Sequence, residues 1–123
     1  MWPLQALKKL SRKQAQGRTW EQQACKYLEQ QGLTLVEANF TCKGGEIDLV
    51  MRDGASLVFV EVRQRADRSH GGAAASITPA KQARLTCAAQ VYLMRYPQLP
   101  PCRFDVVAID GDQLEWLRNA IGF

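Results

Sequence analysis

Residues 45–65 read GEIDLVMRDGASLVFVEVRQR, and the fold turns on how this stretch pairs with itself. Two alternating apolar runs flank Asp53-Gly54, a favoured two-residue hairpin turn, so the stretch predicts two antiparallel strands. With Arg52 and Ala55 flanking the turn, Val50 falls opposite Leu57, Asp48 opposite Phe59 and Glu46 opposite Glu61. Side chains alternate across a strand, which sends Glu46, Asp48, Glu61 and Arg63 to one face and Ile47, Leu49, Val58, Val60 and Val62 to the other. Apolar residues occupy both faces, the pattern of central strands covered from each side.

Three acids and one base converge in this arrangement. Directly opposite residues lie about 5 Å apart at Cβ and diagonal ones roughly 7–8 Å. Carboxylates crowded to that degree need a proton or a cation. A divalent metal with oxygen ligands supplies the cation and also prepares a site for hydrolysis. The alternative is an ordinary strand pair whose acids lie in solvent or pair with Arg52, Arg63 and Arg65. A three-residue loop would shift the pairing and weaken the constellation.

At 123 residues the chain is long enough for one domain with a real core, and its 46% hydrophobic and 23% charged residues are ordinary for a soluble protein. No apolar run approaches the roughly 18 residues of a membrane span, and the N-terminus lacks the apolar core of a signal peptide. The expectation is a cytoplasmic protein with no membrane partner. The net charge is +4, but Lys8, Lys9, Arg12, Lys13 and Arg18 all precede the first acid, Glu21, leaving eleven basic against twelve acidic residues in the rest. Bulk charge therefore argues little. Between residues 63 and 84, however, Arg63, Arg65, Arg68, Lys81 and Arg84 meet only Asp67. An acidic spot bordered by basic groups suits a phosphodiester better than a neutral or cationic substrate, although a solvated charged loop has the same composition. Cys25, Cys42, Cys87 and Cys102 form no CxxC pair and no metal-type spacing with His70, the one histidine. Reduced thiols are expected, with Cys25 and Cys87 as small core residues.

Residues 1–16 are basic, with Trp2, Leu4, Leu7 and Leu10 at weak helical spacing, and are expected to form a flexible tail ahead of a single domain over residues 17–123. Trp20, Ala24, Tyr27 and Leu28 recur at helical spacing from about Arg18 to Gln31, where Gly32 supplies a stop. Thr19 with Gln22 forms a capping box if the helix starts there; a start one turn earlier is the other option. Glu21 borders the buried stripe, within reach of the sheet. Leu33 to Phe40 predicts a first strand, and residues 66–77 a glycine-containing loop that carries His70. Thr78-Pro79 is a strong helix start. Leu85, Ala88, Ala89, Tyr92, Leu93 and Tyr96 continue it as a stripe that ends before Pro97. Lys81, with Gln82 and Arg84, lies at the N-terminal turn, where the helix dipole attracts anions. Arg103 to Asp110 predicts a fourth strand and Gln113 to Arg118 a fifth. Asp105 shares its face with Val107 and Ile109, which predicts a structural ion pair with Arg103 or another arginine. The order α-β-β-β-α-β-β gives an α/β layered domain.

Gly17-Arg18 with Glu21, Asn39, Gly45-Glu46-Ile47-Asp48-Leu49, Phe59-Val60-Glu61-Val62, Lys81-Gln82 with Arg84, and Arg103-Phe104-Asp105-Val106 together resemble the YraN-type family of bacterial proteins. The likeness runs from about Gly17 to Asn119-Ala120. Members are regarded as similar to Holliday-junction resolvases and to the restriction-endonuclease-like fold, whose motif is an acid on one strand and Glu-x-Lys on the next. The matching positions are Asp48, Glu61 and Arg63, with Glu21 resembling the helix-one acid of the resolvase branch.

The resemblance implies a mixed β-sheet flanked by helices and a metal-dependent hydrolysis of structured or branched DNA. Asp48 and Glu61, with Glu46 and Glu21 near them, would ligate Mg²⁺ or Mn²⁺. Arg18, Lys43, Arg65, Arg68, Lys81, Gln82 and Arg84 would steer the nucleic acid, and Lys81 or Gln82 would touch the scissile phosphate. Resolvase relatives act as dimers because a junction has two strands to cut, which leaves a homodimer among the expectations. One position departs from the pattern: the family has lysine where this chain has Arg63. Arginine stays protonated and cannot accept a proton, so it leaves electrostatic catalysis open and removes a lysine general base. Two further readings stand beside the enzyme: a nucleic-acid-binding module that has kept the scaffold and lost turnover, and a protein-binding adaptor using the sheet edge or the basic tail.

Overall fold

The computed structural model describes residues 12–65, 72 and 74–122, with no account of the side chains of 12–18 and Ala74. Its elements follow as α1 (Arg12–Gln30), β1 (Thr34–Cys42), β2 (Gly45–Asp53), β3 (Ser56–Arg65), a short 3₁₀ turn (Ala74–Ser76), α2 (Pro79–Leu93), β4 (Cys102–Asp110) and β5 (Gln113–Ile121). The five strands form one sheet in chain order, β1-β2-β3-β4-β5. Hairpins make β1/β2, β2/β3 and β4/β5 antiparallel, while the crossover through α2 makes β3/β4 parallel. The expected mixed α/β sheet and its order α-β-β-β-α-β-β are present.

Each face of the sheet carries one helix. Ile47, Val50, Leu57, Phe59, Phe104 and Val106 pack under Leu85, Ala88, Ala89 and Tyr92 of α2. On the other face Leu49, Met51, Val58, Val60, Val107 and Ile109 pack against Ala24, Cys25 and Leu28 of α1. Burying each large side chain here contributes about 1.5–3 kcal/mol. The α2 stripe read from the sequence is the buried one, because a repeat of three and four keeps its residues on one side of the helix. Tyr92 adds edge-on contacts to Phe40 (5.2 Å between ring centroids) and Phe59 (5.9 Å).

The boundaries differ from expectation at both helices. Helix α1 begins at Arg12, ahead of Arg18 and further up the chain than the one-turn-earlier option, so Thr19 lies inside the helix and not at its start. Helix α2 starts where expected: Thr78 Oγ1 accepts the Lys81 N–H at 3.1 Å, and Pro79 follows the cap. Its regular part ends at Leu93, and Met94, Arg95 and Tyr96 close a tighter last turn by donating to Val91, Tyr92 and Leu93.

The β2/β3 register corrects the expected one. Asp53 pairs with Ser56, Arg52 with Leu57 and Val50 with Phe59, so the turn is Gly54-Ala55 and not Asp53-Gly54. Gly54 takes φ +60°, which suits the first central residue of such a turn. The correction moves the pairing by two residues. Because the side-chain period is two, Glu61 stays on its face but moves from opposite Glu46 to the level of Asp48.

The expected face assignment also breaks at one point. Ile47 packs on the α2 side while Leu49 packs on the α1 side, although a regular strand would keep them together. The neighbouring strand turns over at the same level, since Ala38 lies with the α1 cluster and Phe40 with the α2 cluster. Between them Asn39 takes φ +58°, and the Asn39–Asp48 pair is missing from an otherwise continuous run, Ala38↔Leu49 then Phe40↔Ile47. A left-handed residue rotates the strand about its axis, and asparagine enters that region more readily than most.

Candidate active site

The site forms where β2 leaves β3. The ladder ends at Leu49↔Val60, and beyond it a side chain, that of Asp48, takes up a donor of β3. The Val62 N–H donates to Asp48 Oδ2 at 2.8 Å. This charge-assisted bond fixes the carboxylate in the gap between the diverging strands.

Glu61 stands beside it on β3, aligned with Val106 and hence on the α2 side of the sheet. It is only 2% exposed, and its Oε1 is buried with no hydrogen-bond partner among the described residues. Its Oε2 makes ion-pair contacts with Arg63 Nη1 at 3.5 Å and Lys81 Nζ at 3.6 Å. Burial, followed by the charge and hydrogen bonding of Asp48, pushes the Glu61 carboxyl up to about 9; Lys81 and Arg63 act in the opposite sense without offsetting it. The pair therefore holds a proton near neutral pH unless a stronger cation replaces it.

Lys81 arrives from the first turn of α2, where its Nζ also lies 3.7 Å from Glu46 Oε1. Glycine makes this approach feasible, since a Cβ on Gly45 would run into the Arg84 carbonyl and one on Gly44 into Cys87 Sγ. Arg63 is held differently. Its Nε donates to Ser76 Oγ at 2.9 Å and its Nη2 to the Ser76 carbonyl at 3.5 Å, tying the 3₁₀ turn to β3.

Together these groups wall a cleft of about 480 Å³, completed by Trp20 and Glu21 from α1 and by Val62 and Gln64. A second hollow, about 530 Å³ and lined by Gln90, Leu93, Met94, Leu99 and Cys102, has no carboxylate or base on its wall. Of the residues singled out in the sequence, Glu21, Glu46, Asp48, Glu61, Arg63 and Lys81 meet at the first cleft. Gln82 is exposed and donates weakly to the Ile77 carbonyl. Lys43, Arg65 and Arg84 are exposed elsewhere and do not line the cleft. Arg68, His70 and the side chain of Arg18 lie outside the described residues. Sequence reasoning missed Ser76 as the anchor of Arg63, since a serine in a small-residue loop gives no local signal. Trp20 was read only as part of a helical stripe.

Among the described residues no three His, Cys, Asp or Glu side chains gather into a complete protein ligand set. Asp48 and Glu61 supply two oxygen donors, and Glu61 Oε1 is buried and meets no donor among the described residues. That donor set fits Mg²⁺ or Mn²⁺, since Mg²⁺ binds through one or two carboxylates and fills the rest of its shell with water and substrate phosphate. No helix among the described residues is long and apolar enough to cross a membrane.

Residues 20–109 match the family described as "Uncharacterised protein family UPF0102". The UPF0102 protein HEAR0176 of Herminiimonas arsenicoxydans is 62% identical over 109 residues, covering 89% of this chain and 88% of the relative. A UPF0102 protein of Janthinobacterium sp. (strain Marseille) is 62% identical over 109 residues, with 89% of both chains covered. The UPF0102 protein RALTA_A3032 of Cupriavidus taiwanensis is 60% identical over 110 residues, with 88% and 83% covered. The matched span carries α1 from Trp20, the whole cleft and nearly all of β4, and on that basis the chain belongs to the UPF0102 family, the YraN-type family its motifs resemble.

Proposed function

We propose that the chain is a metal-dependent hydrolase of phosphodiester bonds, a nuclease acting on structured or branched DNA. One observation carries this reading: a buried glutamate, Glu61, stands against a second carboxylate, Asp48, on the wall of an open cleft, and its Oε1 meets no donor among the described residues. A protein that used Glu61 only for stability would partner that oxygen or replace the residue.

Asp48 and Glu61 would hold Mg²⁺ or Mn²⁺, which when bound activates a water and balances charge on the phosphate oxygens. Asp48 is pre-oriented by the Val62 N–H, so its carboxylate does not reorganise during the reaction. Glu61 is fixed by burial between the sheet and α2. Glu21 adds a further carboxylate to the cleft wall. Positive groups beside the acids favour a polyanionic substrate.

The test is cleavage of labelled branched, duplex and single-stranded DNA and of RNA with Mg²⁺ or Mn²⁺, by wild type and by Glu61→Gln. Cutting by the wild type, reduced about 10²–10³-fold in Glu61→Gln, supports the reading. Absence of cutting on every substrate with either metal removes it.

A second reading, a DNA-binding module without turnover, is favoured by Arg63. Its guanidinium cannot accept a proton, and Ser76 holds it in place. Activity that emerges only in Arg63→Lys would favour this module over the enzyme.

A further inference from the structure

Independently of the nuclease reading, we infer that Cys42 of β1 and Cys87 of α2 are an oxidative modification site, a pair of thiols that a small hydroperoxide converts to a disulfide. Contacts between β1 and α2 bracket Cys42 at two levels. On one side of it Phe40 meets Tyr92, with 5.2 Å between ring centroids, and the Arg95 guanidinium lies 5.5 Å from the Phe40 ring. On the other side Gly44 lies against Cys87, so closely that a Cβ there would run into the Cys87 sulfur. Cys42 is two residues from each of these positions, and it packs on the same α2-side cluster as Phe40. Its thiol is therefore turned towards the helix. Its partner across the hairpin, Gly45, is close enough to α2 that a Cβ would meet the Arg84 carbonyl, three residues before Cys87. Glycines at 44 and 45 thus let the hairpin backbone come to the short separation from α2 that a disulfide spans, about 4.4–6.8 Å between Cα atoms.

Both cysteines are free and half-buried, open to a small oxidant and shielded from a large one. The other two stand elsewhere. Cys25 is fully buried in the α1 layer, and burial, with Glu29 nearby, pushes its thiol up to about 11. Cys102 lines the apolar hollow with Gln90 and Leu93, and burial raises its thiol too. A protonated thiol is a poor nucleophile, so neither competes well for the oxidant. In the reaction one thiolate attacks the O–O bond, forming a sulfenic acid and releasing the alcohol or water. The second thiolate then displaces hydroxide from that sulfur, which takes up a proton and leaves as water. Two thiols lose two hydrogens and two electrons, and the hydroperoxide is reduced. The bridge ties the strand entering Glu46 to the helix that carries Lys81, and so fixes one wall of the cleft from behind.

The test exposes the folded, reduced full chain to hydrogen peroxide, blocks the remaining thiols and identifies bridges by mass spectrometry of a non-reducing tryptic digest. Cleavage at Arg18, Lys26, Lys43, Arg84, Arg95 and Arg103 puts each cysteine in a separate peptide, so every pairing has its own mass. The expected product joins peptide 27–43 to peptide 85–95, in a chain lighter by two hydrogens. Because the bridge closes the chain between 42 and 87, the melting midpoint should rise by about 10 °C over the reduced form. Cys42→Ser and Cys87→Ser should each lose the bridge and the rise, and Cys102→Ser should keep both. Cys87→Ala serves if Cys87→Ser melts early when reduced. A bridge to Cys25 or Cys102, or one between two chains, overturns the proposal. So does a bridge that lowers the melting midpoint, sulfinic acid on Cys42 or Cys87 without a bridge, or thiols that survive excess peroxide unchanged.

Discussion

Asp105 and Glu61 are buried carboxylates on adjacent parallel strands, and the protein treats them in opposite ways. Asp105, aligned with Val60 on the α1 side, is fully buried and fully partnered. Arg103 Nε donates to its Oδ1 at 3.0 Å and to Oδ2 at 3.3 Å, and Arg103 Nη2 reaches Oδ2 at 3.2 Å. The Trp116 indole N–H and the Asn119 backbone N–H complete the shell, each at 2.9 Å. Arg103 also bonds Asp53 at 3.0 Å, which ties β4 to the end of β2. Glu61, one residue further along and on the α2 side, pairs one oxygen with Arg63 and Lys81 and leaves the other with no donor among the described residues. Burial alone therefore does not mark a functional acid; the state of its oxygens does. A satisfied carboxylate is a structural joint, whereas an unsatisfied one costs stability and is retained where a ligand completes it.

The sharpest way to break this contrast is to remove both acids and compare what fails. Asp105→Ala leaves Arg103, an indole N–H and a backbone N–H without their acceptor, and about 3–5 kcal/mol of stability is expected to go. Denaturant titration checks this, and loss of activity should track loss of fold. Glu61→Gln is expected to do the reverse, keeping or slightly raising stability while reducing cleavage about 10²–10³-fold. Equal destabilisation by the two variants would erase the distinction.

The pH dependence sharpens it further. Glu61 has a carboxyl raised from 4.5 to about 9 in the folded protein, so the folded state holds that proton more tightly than the unfolded chain does. Its contribution is complete below about 4.5, declines as the unfolded chain ionises, and is gone once the pH passes about 9. The melting temperature of wild type should fall through that window relative to Glu61→Gln. Millimolar Mg²⁺ should reduce the fall, because a bound cation favours the ionised form. Identical pH profiles for the two proteins would count against the environment assigned to Glu61.

Smaller effects test how the cleft is assembled. Gly45→Ala puts a methyl group against the Arg84 carbonyl and should cost about 1–3 kcal/mol by denaturation, because backbone and not a flexible side chain must yield. Thr78→Ala removes the cap that accepts the Lys81 N–H and should cost about 1 kcal/mol. The Asp105 network should be insensitive to both, which double-variant additivity would verify.

Much of this was legible in the chain. The strand pair, the α2 stripe, the Thr78-Pro79 start and the Arg103–Asp105 pair all follow from local pattern, since each depends on residues within one or two turns or on alternation along a strand. The convergence of Asp48 and Glu61 survived an error in the expected turn, because a two-residue slip preserves the face. What failed was tied to events between strands. No periodicity announces that Asn39 turns left-handed, or that β1 and β2 turn over together and separate Ile47 from Leu49. The Trp116 and Asn119 contacts to Asp105 depend on a register shift between β4 and β5 near Phe104 and Val106, which a single strand cannot reveal.

By itself, then, the sequence determined which elements form, their order and which acids could share a neighbourhood, because hydrogen-bonded backbone periods of two and 3.6 convert spacing directly into faces. Only the tertiary structure decided which acid is satisfied and which is left open, and that Arg63 is tied to Ser76 while Lys81 stands over the cleft. Those outcomes rest on distances between segments far apart in the chain. They are set by how closely a glycine lets α2 approach β2 and by where β2 parts from β3.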